Sequence, residues 1–258
     1  MDSIFKHTEN NGVAIITGLQ RALTETSIFI PETINGIPVV EIGPEAFRST
    51  SITDIKIGEN IKKIGEKAFY MCEKLQSVTW HCQCDVIPVD CFSGCSNLTQ
   101  FDFSNIKRID RAAFYESGLK EVCLPENIEC IIEGAFCRCK TLSSVKWNCK
   151  CNVISVDCFA GCSNLTQFDF SNIKRIGAHA FEDSGLTSVR LSKETAVDQS
   201  GFACCNDLEK IEWLSGRSIE GDIFEECQNI KEIIISDNVM GIAVDAFASS
   251  PNAEISFI

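Results

Sequence analysis

Histidine is scarce: the 258 residues hold only His7, His81 and His179, alongside two Tyr, three Met, three Trp and six Pro. The three histidines fall near the N-terminus, after a strand-like triplet and in a turn, so no pair of imidazole bases converges for nucleophilic catalysis. Phosphate-cradling glycine spacing is absent as well. No stretch approaches 18 apolar residues, which excludes a membrane-spanning helix. The opening Met1-Asp2-Ser3-Ile4-Phe5-Lys6-His7-Thr8-Glu9-Asn10 has no basic segment followed by an apolar core, and so reads as lacking a secretory leader. Basic charge is also short, with 23 Lys and Arg against 36 Asp and Glu, a net −13 and a pI near 4.7. That balance disfavours nucleic acid and anionic membrane as partners.

What the chain does have is repetition. Phe recurs at 47, 69, 92, 114, 136, 159, 181, 202, 224 and 247, with gaps of 21 to 23 residues. Each Phe follows one of Ala46, Ala68, Cys91, Ala113, Ala135, Cys158, Ala180, Gly201, Ile223 and Ala246, nine of which are small. Apolar-x-apolar triplets follow at the same period, from Ile55-Lys56-Ile57 through Val78-Thr79-Trp80 and Phe101-Asp102-Phe103 to Ile233-Ile234-Ile235. With Ile28-Phe29-Ile30 and Ile255-Ser256-Phe257 they make eleven candidate strands. One short strand per unit cannot bury its own apolar side, whereas stacked units bury a continuous core. The expectation is a solenoid with one continuous parallel sheet on the order of 50 Å long.

The units "IGEKAFYMCEKLQSVTW" and "IGPEAFRSTSITDIKI" resemble the BspA-like class of leucine-rich repeats over roughly residues 25–258. The resemblance implies a right-handed leucine-rich-repeat solenoid, α/β or mainly β, of about ten repeats. Its parallel β-sheet would form the concave face, and turns or one-turn helices the other side. It also implies a non-enzymatic protein-binding role of the surface adhesion or host-interaction kind, toward a host-cell or extracellular-matrix protein or a glycan. The missing leader and the many thiols point instead to an intracellular scaffold or regulator using the same face. The units "FRSTSI", "FYESGL" and "FEDSGL" are one residue short, and Gly118 and Gly185 are expected to supply permissive backbone there.

Residues 1–26 read as an N-terminal cap and 27–258 as a single solenoid domain. The apolar run 13–17 is expected to pair with or cross the strand at 28–30, and Asn35-Gly36 to form a turn. A second period of 67 residues repeats "CSNLTQFDFSNIKRI" at 95–109 and 162–176, and Trp80, Trp147 and Trp213 follow it, so a three-unit block was duplicated.

Sixteen cysteines invite a chemical reading. Cys72, Cys95, Cys139, Cys162, Cys205 and Cys227 all stand three residues after Phe, and Cys91 and Cys158 occupy the small-residue position. Placement by repeat phase points to buried packing thiols. Cys82-Gln83-Cys84 and Cys149-Lys150-Cys151 read as exposed pairs too far apart to share a zinc ion, so neither metal nor cofactor is expected. Asn97-Leu98-Thr99 and Asn164-Leu165-Thr166 match the glycosylation pattern, although each Leu is a core position.

The outward position of each triplet defines the candidate binding face: Phe29, Lys56, Thr79, Asp102, Cys123, Lys146, Asp169, Arg190, Glu212 and Ile234, continued by Ser256. Charges alternate in sign from Lys146 to Glu212, as a cross-strand ladder would. Ile255, Phe257 and Ile258 mark a free strand edge that a second copy of the chain could cover in a homodimer.

Overall fold

The computed structural model describes residues 4–20 and 26–258, a mainly β solenoid with no helix among the described residues. Each coil has three sides. A two-residue strand such as Lys63–Ile64 leads into a turn carrying the Phe, and a four-residue strand such as Ser77–Trp80 returns the chain. Long strands pair in parallel and in register, for example Ile55 with Val78 and Ile57 with Trp80. This alternation sends the first and third triplet positions inward and the middle one outward.

Stacked rings fill the core. Successive Phe side chains from Phe47 to Phe247 lie with centroids 5.2–5.8 Å apart and planes within 26° of parallel. Nine of the ten are fully buried, and Phe247 is half-buried in the last coil. Each buried ring contributes about 1.5–3 kcal/mol through removal from water. The small residue before each Phe permits the approach: the Phe69 amide donates to the Cys91 carbonyl at 3.0 Å and the Phe92 amide to Ala113 at 2.8 Å.

The turn side explains the absence of helix. Residues two before and two after most of the Phe anchors have positive φ, as at Glu45 and Ser49, Lys67 and Met71, and Ala112 and Glu116. This alternation points every second amide along the solenoid axis, so Glu45, Phe47 and Ser49 donate to the Glu66, Ala68 and Tyr70 carbonyls of the next coil. The amides between them close tight turns within their own coil, such as Arg48 to Glu45. A one-turn helix would satisfy the same groups internally and leave the coils unlinked.

The position three residues after Phe is a hydrogen-bond slot. All ten copies are Cys, Ser or Thr. All six slot cysteines are fully buried, and each donates to a Phe carbonyl of the preceding coil, as Cys139 does to Phe114 at 3.1 Å. At Thr50, Ser117 and Ser184 the hydroxyl meets the next thiol, as Ser117 does Cys139 at 3.3 Å, while Ser250 in the last coil donates to the Cys227 carbonyl at 2.6 Å. Packing alone accounts for only half of this pattern.

Three expectations need correction. The long-strand sheet is not continuous, because Phe101-Asp102-Phe103 and Phe168-Asp169-Phe170 form no strand. There Asp102 and Asp169 each accept the amide two residues on, from Ser104 and Ser171 at 2.9 Å, and this local turn competes with cross-strand pairing. Phe101 turns its ring among Trp80, Phe92 and Phe114 instead. Secondly, the strand Val13–Leu19 pairs antiparallel with Phe5–Asn10 and parallel with Ile37–Ile42, not with Ser27–Phe29. The cap hairpin therefore extends the short-strand side; residues 1–3 and 21–25 of the proposed cap lie outside the described residues. Thirdly, Gly118 and Gly185 do not adopt positive φ; a Cβ at either would overlap the Ser96 or Ser163 carbonyl. Close backbone approach is the reason for glycine in the shortened units. Asn35 and Gly36 do form the expected turn, with φ of 54° and 82°, between Thr33–Ile34 and Ile37–Ile42.

Candidate protein-binding face

The outward column is distributed over three separate sheets of long strands. Phe29, Lys56 and Thr79 share the first, Cys123 and Lys146 the second, and Arg190, Glu212, Ile234 and Ser256 the third. Asp102 and Asp169 are exposed but sit in the two interruptions, where a carboxylate oxygen of each is engaged by its own backbone. The face is thus three strips separated by two acidic turns.

Its charges pair less than the sequence suggests. Arg190 contacts Glu212 at 2.8 Å, and Lys210 joins the network through Glu212 at 3.7 Å and Glu232 at 3.0 Å. Among the described residues no such contact links Lys146 to Asp169. The Lys56 ammonium lies 5.7 Å from the centre of the Phe29 ring, which remains 54% exposed. Exposed contacts of these kinds contribute about 0–1 kcal/mol each, so they shape the surface more than they hold the fold. At the C-terminal edge Glu254–Phe257 pairs with Glu232–Ile235, and Ile255, Phe257 and Ile258 are all exposed.

The paired cysteines are not exposed. Cys82, Cys84 and Cys149 are buried and Cys151 is half-buried. The cause lies in the preceding Trp, whose indole N–H reaches back to the carbonyl four residues on, Trp80 to Cys84 at 3.0 Å and Trp147 to Cys151 at 2.7 Å. This contact folds the loop inward. Among the described residues no group of three or more His, Cys, Asp or Glu is placed to hold a metal ion. Asn97 is exposed but its amide donates to the Glu73 carbonyl at 2.7 Å, and Leu98 and Leu165 of the two glycosylation-like triplets are fully buried.

The repeat geometry, the Phe stack and the in-register parallel strands agree with one sequence family. The profile of the BspA type leucine rich repeat region matches in six copies, over residues 24–143, 103–209 and 129–254. The chain belongs to the BspA-type leucine-rich repeat family. Its members are generally protein-binding repeat proteins and typically non-enzymatic. No curated protein matches the chain significantly. Among solved structures, a leucine-rich repeat protein from Bacteroides ovatus is similar with a TM-score of 0.71 and 22% identity, over 99% of this chain and 77% of that one. A leucine rich cell surface protein from Faecalibacterium prausnitzii gives 0.56 and 21%, over 100% and 94%. The pneumococcal vaccine antigen PcpA gives 0.53 and 17%, over 98% and 79%. At these identities the likeness concerns the fold.

Proposed function

We propose that this BspA-type protein binds a protein partner through the outward column of the long strands, in a surface-associated role of the adhesion or host-interaction kind. The observation that carries this reading is a contrast within each coil. Inward positions are apolar in every copy, whereas outward ones run through Phe29, Lys56, Thr79, Cys123, Lys146, Arg190, Glu212 and Ile234 without a pattern the stack requires. A surface free of the repeat's constraints can encode recognition. Phe29 and Ile234 supply apolar anchors near opposite ends, and the charged residues between them supply specificity. The partner's complementary charge is positive: residues 178–258 hold fifteen Asp and Glu against five Lys and Arg, so most of the net −13 lies in the last coils. The surface role also draws support from the similar Faecalibacterium prausnitzii protein, a leucine rich cell surface protein.

Antibody labelling of source cells tests the setting. Labelling of intact cells supports surface display; labelling only after permeabilisation moves the reading to an intracellular scaffold. One observation favours that second setting: the six slot thiols donate hydrogen bonds and must be reduced to do so. The face itself is tested by Phe29→Ala and Ile234→Asp. Both should weaken partner binding at least tenfold with thermal stability unchanged, and unaltered binding by both rejects the face.

A further inference from the structure

The loop after each tryptophan strand occurs three times, as Trp80-His81-Cys82-Gln83-Cys84, Trp147-Asn148-Cys149-Lys150-Cys151 and Trp213-Leu214-Ser215-Gly216-Arg217. All three make the same closure, the indole donating to the carbonyl four residues on, and in the third copy the Trp213 to Arg217 distance is 3.1 Å. The third copy contains neither cysteine. There Ser215, at the position of Cys82 and Cys149, is buried and bonded to the Thr195 carbonyl and the Arg217 amide, so the loop closes with a hydroxyl in place of the first thiol and no sulfur is required for it.

In both of the copies that carry cysteines the second thiol is the strongest polar influence on the first. The second thiol also approaches a carbonyl of the preceding coil, Cys84 to Ile61 at 3.7 Å and Cys151 to Ile128 at 3.5 Å. The two thiols of each pair stand two residues apart on one short loop, so a bond between them closes that loop alone. The partner thiol holds the Cys82 thiol below the ordinary range, and Cys149 is held down the same way. Access exists as well. Where the short-strand sheet divides between Lys63–Ile64 and Val86–Ile87, a groove of about 630 Å³ opens, lined by Cys84 with Lys62, Gln83 and Pro88 among others. Cys151, at the equivalent division before Val153–Ile154, is itself half-buried. Cys227 acts on Cys205 in the same way, but both are fully buried and neither lines that groove.

We propose that Cys82–Cys84 and Cys149–Cys151 are reversible dithiol–disulfide pairs that exchange with a low-molecular-weight disulfide reaching them from the short-strand side. The thiolate of one cysteine attacks a sulfur of the small disulfide and releases one small thiol. The second cysteine, as thiolate, attacks the resulting mixed disulfide; the intramolecular S–S bond forms and the second small thiol leaves. The protein loses two electrons and two protons per pair, and the small disulfide gains both. Proximity of the two sulfurs makes the second step intramolecular, so the mixed disulfide does not accumulate. Closure removes the thiol donors facing Ile61 and Ile128 and locks two equivalent loops three coils apart.

The test equilibrates the full chain with reduced and oxidised glutathione at graded ratios, quenches in acid, and maps alkylated peptides by mass spectrometry. Four of the sixteen thiols should disappear together, as two internal disulfides in the peptides spanning 82–84 and 149–151, while the six slot thiols remain alkylatable after denaturation. A stable glutathione adduct on either pair overturns the proposal, as does retention of all four thiols until the protein unfolds. The double variant Cys82→Ser with Cys84→Arg puts the third loop's residue types at the two cysteine positions. It should fold with an unchanged near-ultraviolet spectrum and lose the first disulfide only. If it fails to fold, Cys82→Ser with Cys84→Ala takes its place with the same expected outcome, and retention of the first disulfide's mass shift in that variant overturns the proposal. Cys82→Ser alone should give a mixed disulfide at groove-lining Cys84 in place of the internal bond, and an unmodified Cys84 in that variant counts against the exchange.

Discussion

Cys139 sits midway along the hydrogen-bond slot, and exchanging it separates two accounts of why cysteine recurs there. Its thiol donates to the Phe114 carbonyl at 3.1 Å and meets the Ser117 hydroxyl at 3.3 Å, and the side chain is fully buried. Burial pushes its pKa up to about 12, so the neutral thiol is the form present. If the slot selects a donor, Cys139→Ser keeps the bond and costs about 1 kcal/mol or less, as the natural Ser117 and Ser184 suggest. Cys139→Ala forfeits the bond, about 0.5–1.5 kcal/mol, and leaves a small void costing roughly another 1 kcal/mol. Cys139→Val loses the donor and overfills the site, for about 1–3 kcal/mol of strain in addition. Urea unfolding with a slope of about 3 kcal/mol/M turns these into midpoint losses of roughly 0.3 M for Ser and 0.7 M for Ala. The order Ser, Ala, Val from mildest to worst is the prediction. Ala or Val milder than Ser would refute the donor account and leave apolar packing as the sole cause.

Phe136→Ala removes a ring stacked on Phe114 and Phe159 and should cost about 3–5 kcal/mol, whereas half-buried Phe247, stacked on Phe224 alone, should cost about half as much when replaced. Equal losses in chemical denaturation would contradict a stack stabilised coil by coil. Desolvation raises the Asp157 carboxyl pKa, with His179 opposing and Glu182 adding to it. An acid whose folded pKa lies above its unfolded value destabilises the fold at pH values above the folded pKa and stops doing so below the unfolded one. Asp157→Asn should therefore raise the melting temperature slightly at pH 7 and leave it unchanged near pH 3; a lowered value at pH 7 reverses the sign and the reasoning. In native protein at pH 8, iodoacetamide should modify exposed Cys123 first and Cys137 far more slowly, because burial and the Asp157 charge lift the latter to about 11. Faster reaction at Cys137 would overturn that assignment.

The stack was legible because its causes are local and periodic. The Phe spacing, the small residue before it and the triplet alternation each state where a side chain must point, and the coordinates put them there. The interruptions at Asp102 and Asp169 were not read, although the signal was present: an Asp followed two residues later by Ser, whose amide it accepts. The burial of Cys82 and Cys84 was not legible because it accompanies an indole donating to the carbonyl four residues ahead, a contact that composition and periodicity do not encode. Thr50, Ser117 and Ser184 of the slot stand in the shortened units, where the deletion changes the frame in which the shared donor recurs. The binding face is the least legible part, since its residues are those the repeat leaves unspecified.

The alternating turns have a consequence for how such a chain grows. Because amides there point one way along the axis and carbonyls the other, a cut between any two coils exposes donors on one side and acceptors on the other. A block of whole coils can be spliced into that cut and will find matching partners at both of its ends. Lengthening by three coils at a stroke, the history written in the 67-residue echo, thus requires no redesign of the joints.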